Sequence, residues 1–565
     1  MLNQPLIECV PNISEGRDRS IIDEIVNAAA SVDGVKILDV DPGHATHRTV
    51  ITFVGIPEKV VEAAFRLTSK AKDLIDMRHH SGAHPRMGAV DVLPLVPVAN
   101  ISMEETVKWA RKLGRRIGEE LEVPVYLYEA AATSNQRKNL AQVRAGEYEQ
   151  LTEKLANPDW KPDFGPAQFV PSFGAVAVGA RDFLIAYNVN LNTRSVRRAN
   201  SVAFDVREKG RLLRKGHPLF GQPITDESGA PIRIPGSLKG VKAIGWFIDE
   251  YGIAQISMNI TDISTTPLHK VFEEVEKRAI ARGMRVTGSE IVGMVPLKVI
   301  LEAGKYFLKR QNLSRGVAEE DLIFIARKSL GLDDLAPFEP DKKIIEYQLV
   351  NRREAYPLNY LTIRELVNKV ADDSPAPGGG SVSALIGALG ASLTTMVANL
   401  SAHKRGWDDR VDFFSEFAEK GQQIKEHLLQ LLDEDTRAFN AIMEAYRLPK
   451  NTPSEQKARH YAIEKATQHA ASIPLKIMEV AYEAFDITEA MANHGLPASI
   501  TDAGVGAQAL LAASRGAYYN VMINLRDVRD QSFRKTVTQQ ADSLLQRAEA
   551  RADAVDRLVR DKIHS

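Results

Sequence analysis

Three histidines and two arginines crowd into RHHSGAHPR, from Arg78 to Arg86, directly before the apolar run AVDVLPLVPV. Imidazoles at this density can ligate a metal, exchange protons near neutral pH, or sit solvated in a loop. His80 and His84 have the i, i+4 spacing of ligands on a helix, but Gly82 and Pro85 oppose a helix there. His44 and His47, in PGHATHRT, come from a neighbouring turn, and no converging ligand set is visible, so no metal is expected. A histidine in a loop at the mouth of a strand suits acid–base work. Asp41, closing VKILDVD, can orient such a histidine or bond its own turn backbone.

A second candidate lies in KEHLLQLLDEDTRAFNAIMEAY. Leu428, Leu432, Phe439, Ile442 and Tyr446 follow helical spacing, and Asp435 falls on their stripe while Asp433 and Glu434 point elsewhere. A carboxylate on a buried face must be paired, hydrogen-bonded or neutralised. Asp435 is therefore either an acid–base group with a raised pKa or a structural carboxylate paired with an arginine. Two glycine-rich stretches accompany these residues. SPAPGGGSV sets Gly378, Gly379, Gly380 and Ser381 before a helix, where open amides can bind an anion or the chain can simply turn tightly. DFGPAQFVPSFGAVAVGA, Asp163–Ala180, alternates Gly and Pro with Phe164, Phe169 and Phe173. It can bring amides to a flat ring under aromatic cover, or pack its aromatics inward as a connection.

The elements that carry these residues fall into two regimes. Up to Leu121 the order is strand LIECVPNI, helix 18–31, strands VKILDVD and RTVITFVG separated by Pro42-Gly43, helix 57–75, strand AVDVLPLVPV and helix 102–121; VPVYLYE then adds a strand. This is the split βαβ order. It returns after Gly179 with FLIAYNVNL, a helix over 194–208, the hairpin VKAIGWFID/IAQISMNIT, a helix over 266–282, strand region MRVTGSEIVGMVP and a helix over 297–310. A Gly/Pro-rich insertion spans 210–240 and reads as a flap or a mobile loop. GLDDLAPFEPDKK has linker composition, and beyond Tyr360 helical periods dominate. The expected fold is multidomain: two α/β subdomains of split βαβ, ferredoxin-like type (1–180 and 181–330), a linker (331–357) and an all-α helical domain (358–565).

With 565 residues, net charge −1 and 26% charged residues, overall charge argues against nucleic-acid or membrane partners. One cysteine, Cys9, excludes an intrachain disulfide and suits a reducing compartment. The N-terminus does not read as a secretory signal. SVSALIGALGASLTTMVANL is long enough to span a membrane, but its Ser, Thr, Gly and Ala content reads as a close-packed buried helix.

ECVPNISEG, LDVD, HPRMGAVDVLPLVPV, PDFGPAQFVPSFGA, GSEIVGMVPLK, SPAPGGGSV, DEDTRAF, LPKNTP and YNVMINLRDV, in this order, resemble the bifunctional formimidoyltransferase-cyclodeaminases over nearly the whole chain. The resemblance implies transfer of a formimino group from N-formimino-L-glutamate to N5 of tetrahydrofolate. Ring closure to 5,10-methenyltetrahydrofolate with release of ammonia follows, as in histidine breakdown feeding one-carbon metabolism. It implies His84 as the transferase acid–base residue, Asp41 as its orienter, and Asp435 as the cyclodeaminase acid–base residue. The folate-binding loop would comprise Gly165, Pro166, Ala167, Gln168, Phe169, Val170, Pro171, Ser172, Phe173 and Gly174. Arg48 and Arg86 are candidates for substrate carboxylates, and Gly378 to Ser381 for substrate contacts. His44, His47, His79 and His80 receive no role. Tetrahydrofolate, polyglutamylated, would be the co-substrate, and a cytoplasmic homo-oligomer built from dimers the assembly. Two other readings are a helical domain working as a methenyltetrahydrofolate cyclohydrolase, and a catalytically dead folate-binding scaffold.

Overall fold

The computed structural model describes residues 4–44, 46–82, 85–216, 221–349 and 352–564. His84 lies outside them, as does segment 217–220 of the Gly/Pro-rich insertion. The chain divides into two compact units, residues 1–299 with 330–350, and residues 300–329 with 351–565.

In the first unit the strands are β1 (Leu6–Cys9), β2 (Asn12–Ile13), β3 (Val35–Gly43), β4 (Arg48–Gly55), β5 (Val90–Ala99), β6 (Val125–Glu129) and β7 (Val176–Ala180). β1 and β2 are two parts of one strand interrupted at Val10-Pro11, and both lie between β4 and β5. The sheet then reads β3, β4, β1/β2, β5, β7, β6, with the last three parallel. Helices Arg19–Ala30, Pro57–Leu74 and Met103–Glu120 cover one face. Ile25, Leu67, Leu113 and Ile117 there meet Ile7, Phe53, Leu93 and Val178 of the strands. Each such side chain contributes about 1.5–3 kcal/mol by leaving water. Ser102 and Glu105 close the capping box that starts the third helix.

A second layer follows with β8 (Ile185–Leu191), the short ribbon β9 (Arg211–Leu212) and β10 (Arg233–Ile234), β11 (Val241–Ile248), β12 (Ile253–Ile260) and β13 (Val286–Val292). Its order is β11, β12, β8, β13, all antiparallel. In both layers the first strand lies between the third and the fourth, so the repeat legible in element order is a repeat of topology. The first layer adds β6 and β7 at its far edge.

Four sequence expectations change. Pro42 and Gly43 continue β3 instead of turning, opposite Thr49 and Arg48, and His47, directly before β4, has φ 49°. Proline is tolerated there because β3 is an edge strand that needs no further amide. Val176–Ala180, read as the end of a loop, is the buried strand β7; its small apolar residues fit a strand covered on both faces. Residues 330–350 are not a free linker, because Ile345 and Leu349 pack on Val54 beside Phe183 and Met294. Residues 300–329 leave the second α/β layer for the helical unit. There Lys305 and Arg315 both bond Glu419, at 2.6 and 2.7 Å, and Ser314 Oγ donates to Asn399 at 2.6 Å.

The helical unit is built around Gly379–Ala402, which packs on Val411–Arg447 and Ile500–Leu525. Small residues let the backbones approach: Gly387 faces Ala513 and Leu428, and Gly390 faces the Gly506 carbonyl. The apolar stretch that could have spanned a membrane is thus mostly buried among neighbouring helices. Pro453–Glu483, Phe485–His494 and Gln531–His564 complete the bundle.

Candidate active sites

The first sheet turns its uncovered face toward the second α/β layer, and a cavity of about 240 Å³ opens between them. Glu8, Asp41, Arg48, Tyr128, Arg144 and Arg181 bring its charges and hydroxyl, with Phe183, Met294 and Asn259 on the opposite side. Strand alternation explains the arrangement: Ile7 and Cys9 point to the helices, so Glu8 and Val10 point to the cavity. Arg144 is tied to Asp91, which also accepts the Met87 amide at 3.0 Å. Burial, reinforced by the neighbouring Arg144, brings Arg48 down to about 10 against the pull of Asp91 and Asp41. Glu8 is only 4% exposed. Burial pushes its carboxyl up to about 7, Arg181 opposes the rise and Glu346 adds to it. No described group donates a hydrogen bond to the Glu8 carboxyl.

Asp41 and Arg48 therefore do reach a common cavity. Arg86 does not line it. Its guanidinium grips Glu149 at 2.7 and 3.0 Å and reaches His80 Nδ1 at 3.2 Å. Arg86, expected to meet a substrate carboxylate, here holds a protein carboxylate in its fork. His80 accepts from Arg86 on Nδ1, so its Nε2–H donates to the His47 carbonyl at 2.9 Å. Burial first, then the His47 and Arg86 charges, holds His80 below its usual pKa, against the bond to the His47 carbonyl and the Glu15 charge. His47 stacks on His80 at 4.4 Å and bonds the Ser81 carbonyl and Glu15. These two histidines clamp the segment that leads to His84, while His79 belongs to a short 3-10 turn. His44 offers its carbonyl to Arg17.

The loop Gly165–Gly174 flanks the same segment, not the cavity. Ser172 accepts the Met77 amide at 2.9 Å, and Tyr148 donates its hydroxyl to Pro171 at 2.6 Å. Tyr148 also bonds the Arg86 carbonyl through its own amide and holds Phe169 at 5.4 Å. Phe173 is fully buried in the core, and Gly174, at φ 81°, packs on the Met87 carbonyl. Those two residues anchor the loop on the sheet and leave 165–172 as its outer part.

In the helical unit Asp435 sits against the start of helix Gly379–Ala402. The Ser381 amide donates to Asp435 Oδ2 at 2.8 Å and the Ser381 hydroxyl at 3.0 Å. A helix N-terminus carries partial positive charge, which favours an anion. The carboxylate seated there is the protein's own Asp435, held by Ser381 of the expected substrate-contact stretch Gly378–Ser381. Gly380 must lack a side chain, because a Cβ would overlap the Asp435 carboxylate, and Gly379 abuts Asn520. Burial raises the Asp435 pKa and the two Ser381 bonds oppose it. The arginine-paired alternative fails, since Ser381, not an arginine, supplies the partners. Asp433 points off the Asp435 stripe as expected, yet it is not solvated: it is 2% exposed and accepts the Leu358 amide at 3.0 Å. Its carboxyl is raised, by burial first. The stripe is real at Leu428 and Leu432 and gives out at Tyr446, which is exposed.

Sequence reasoning missed Glu8, Arg144 and Arg181. The first had a signal: a lone carboxylate in LIECV, where every neighbour is apolar. The arginines had none, because their place depends on loops returning to the sheet.

Two α/β layers around a charged cavity, joined in one chain to a helical bundle with a seated carboxylate, define a bifunctional enzyme with two separate centres. Residues 6–181 match the N-terminal subdomain of the formiminotransferase domain, 186–350 the formiminotransferase domain, and 362–543 formiminotransferase-cyclodeaminase. The formimidoyltransferase-cyclodeaminase of Mus musculus is 42% identical over 97% of this chain and 98% of its own length. The glutamate formimidoyltransferase of Thermoplasma acidophilum is 44% identical over 55% of this chain and 95% of its own. The methenyltetrahydrofolate cyclohydrolase of Methylorubrum extorquens is 33% identical over 36% of this chain and 98% of its own. The chain belongs to the formimidoyltransferase-cyclodeaminase family.

Proposed function

We propose that the chain transfers the formimidoyl group of N-formimidoyl-L-glutamate to N5 of tetrahydrofolate and then closes the product to 5,10-methenyltetrahydrofolate with loss of ammonia. In the first step N5 adds to the amidine carbon. One proton leaves N5 and one reaches the departing glutamate nitrogen. A single imidazole can carry both transfers, and His84, next to the segment clamped by His47 and His80, is the residue assigned to them. Asp41 is assigned to orient it and Arg48 to meet a substrate carboxylate. In the second step N10 adds to the formimidoyl carbon and ammonia leaves. Asp435, half-buried and with its pKa raised, exchanges the proton between N10 and the leaving nitrogen.

The observation that carries this reading is the Asp435 seat. A half-buried carboxylate held by the Ser381 amide and hydroxyl, with Gly380 cleared beneath it, is positioned for proton transfer. Loop 165–172 is the folate contact in this reading, and a polyglutamylated folate serves both centres. The enzyme acts in the cytoplasm as a homo-oligomer built from dimers, a reading supported by family membership. The test is turnover of N-formimidoyl-L-glutamate and tetrahydrofolate, following methenyl product and ammonia together. Likeness of the helical part to a cyclohydrolase supports one alternative: hydrolysis of the methenyl compound without ammonia release from 5-formimidoyltetrahydrofolate would favour it.

A further inference from the structure

We propose that Glu8 receives the formimidoyl group of the donor and thereby selects a cationic amidine over a neutral N-acyl glutamate. The inference rests on the donor named above. A formimidoyl group on an amino nitrogen is an amidine, protonated at neutral pH. Its conjugate acid is planar and presents parallel N–H donors that match a carboxylate in two-point fashion. The formyl analogue has the same shape, no charge and one N–H.

Among the cavity's acidic neighbours Glu8 is the one built for such a cation. Asp91 is tied to Arg144 and the Met87 amide. Glu346 accepts the Leu297 amide at 2.7 Å. Asp41 is half-buried at the edge strand, where it acts on Arg48. Glu8 lies on the central strand, 4% exposed, turned into the cavity and without a donor among the described residues. A buried carboxylate without partners destabilises the fold. Glutamine or leucine would fill the same space at lower cost, so the carboxyl serves what enters the cavity. The donor also carries two carboxylates, and Arg48 and Arg181 line the same walls.

The groups facing Glu8 set its titration. Arg181 follows β7, Glu346 comes from the segment after β13, Asp41 and Arg48 from β3 and β4, Tyr128 from β6, and Arg144 from the loop after it. With the carboxyl near 7, donor binding strengthens as pH rises through neutrality and levels off above it. From pH 6 to pH 8 the ionised fraction grows by about tenfold.

The experiment is calorimetric titration of the full-length enzyme with N-formimidoyl-L-glutamate and with N-formyl-L-glutamate, at pH 6 and pH 8. The wild type is expected to prefer the formimidoyl compound and to bind it about tenfold more tightly at pH 8. Glu8→Gln is expected to lose about 100-fold for the formimidoyl compound and less than about threefold for the formyl compound, with no pH response. Equal weakening of both compounds would mean a structural role and overturn the assignment. So would a preference that survives Glu8→Gln, or one removed by Asp41→Asn in its place. A wild type that binds neither compound overturns the donor reading itself and this assignment with it.

Discussion

The carboxyl groups of Glu8 and Asp435 are both withdrawn from water, and the protein treats them in opposite ways. Asp435 lies at the head of a long helix, where the Ser381 amide and hydroxyl hold its anion in place. Glu8 lies mid-sheet with a guanidinium in the neighbourhood and no hydrogen-bond donor among the described residues. The helix end supplies a partner from the backbone, which leaves Asp435 positioned before any ligand arrives. The sheet has used its amides in the ladder between β1, β4 and β5, so a side chain on its face depends on other side chains or on a ligand. A carboxylate at a helix terminus is therefore held without a ligand, and one on a sheet face without a side-chain donor is left to what binds.

The most direct way to break this comparison is to remove the acid–base groups. His84→Ala should lower transfer by about 10³-fold and leave ammonia release from supplied 5-formimidoyltetrahydrofolate intact. Asp435→Asn should do the reverse, and steady-state assays of the two half-reactions read both. If either variant retains its own step, that centre is misassigned. A smaller effect is expected from Gly380→Ala, whose methyl meets the Asp435 carboxylate. Displacement of about 1 Å should cut cyclodeaminase kcat by about 100-fold without touching transfer. Normal ammonia release by that variant would show that Asp435 does not work from its observed seat.

Glu8 gives a stability test with a definite sign. Its folded pKa is near 7 and its unfolded value near 4.5. Between these values the folded state binds the extra proton, so the carboxyl's contribution falls as pH rises. The Glu8→Gln variant should thus gain up to about 3 kcal/mol on the ligand-free wild type between pH 4 and pH 8, read by denaturant unfolding of the first unit. A pH-independent difference would mean that Glu8 finds a donor in solution. The smallest effect is expected at Arg86. Arg86→Leu removes the bonds to Glu149 and His80 and should cost about 2 kcal/mol. It should lower kcat through the loosened His80 segment while KM for the donor stays within about threefold. A large rise in KM instead would return Arg86 to the substrate.

Much of the frame was legible because it rests on period and punctuation. Helix Leu297–Arg310 has the expected bounds, and both βαββαβ runs appear in order. Asp435 stood out because helical spacing put a charge among Leu428 and Leu432. The same reasoning put Asp433 off that stripe but missed its burial, since a wheel drawn on one stripe ignores the segment at Leu358 that covers the other side. The linker was misread because composition reports polarity, and Ile345 and Leu349 find their apolar cover only on Val54.

The sequence by itself determined which residue types stand where local periodicity puts them: a carboxylate on a helix stripe, glycines before a helix, histidines in a loop that proline and glycine keep from being helical. Those properties depend on neighbours within a few positions. The tertiary structure alone decided that the triple glycine seats Asp435, that Arg86 answers Glu149, and that Glu8 faces Arg48 and Arg181 across a cavity. Each of these joins residues tens of positions or more apart, and the energy of a charge is set by whatever the fold brings within a few ångströms of it.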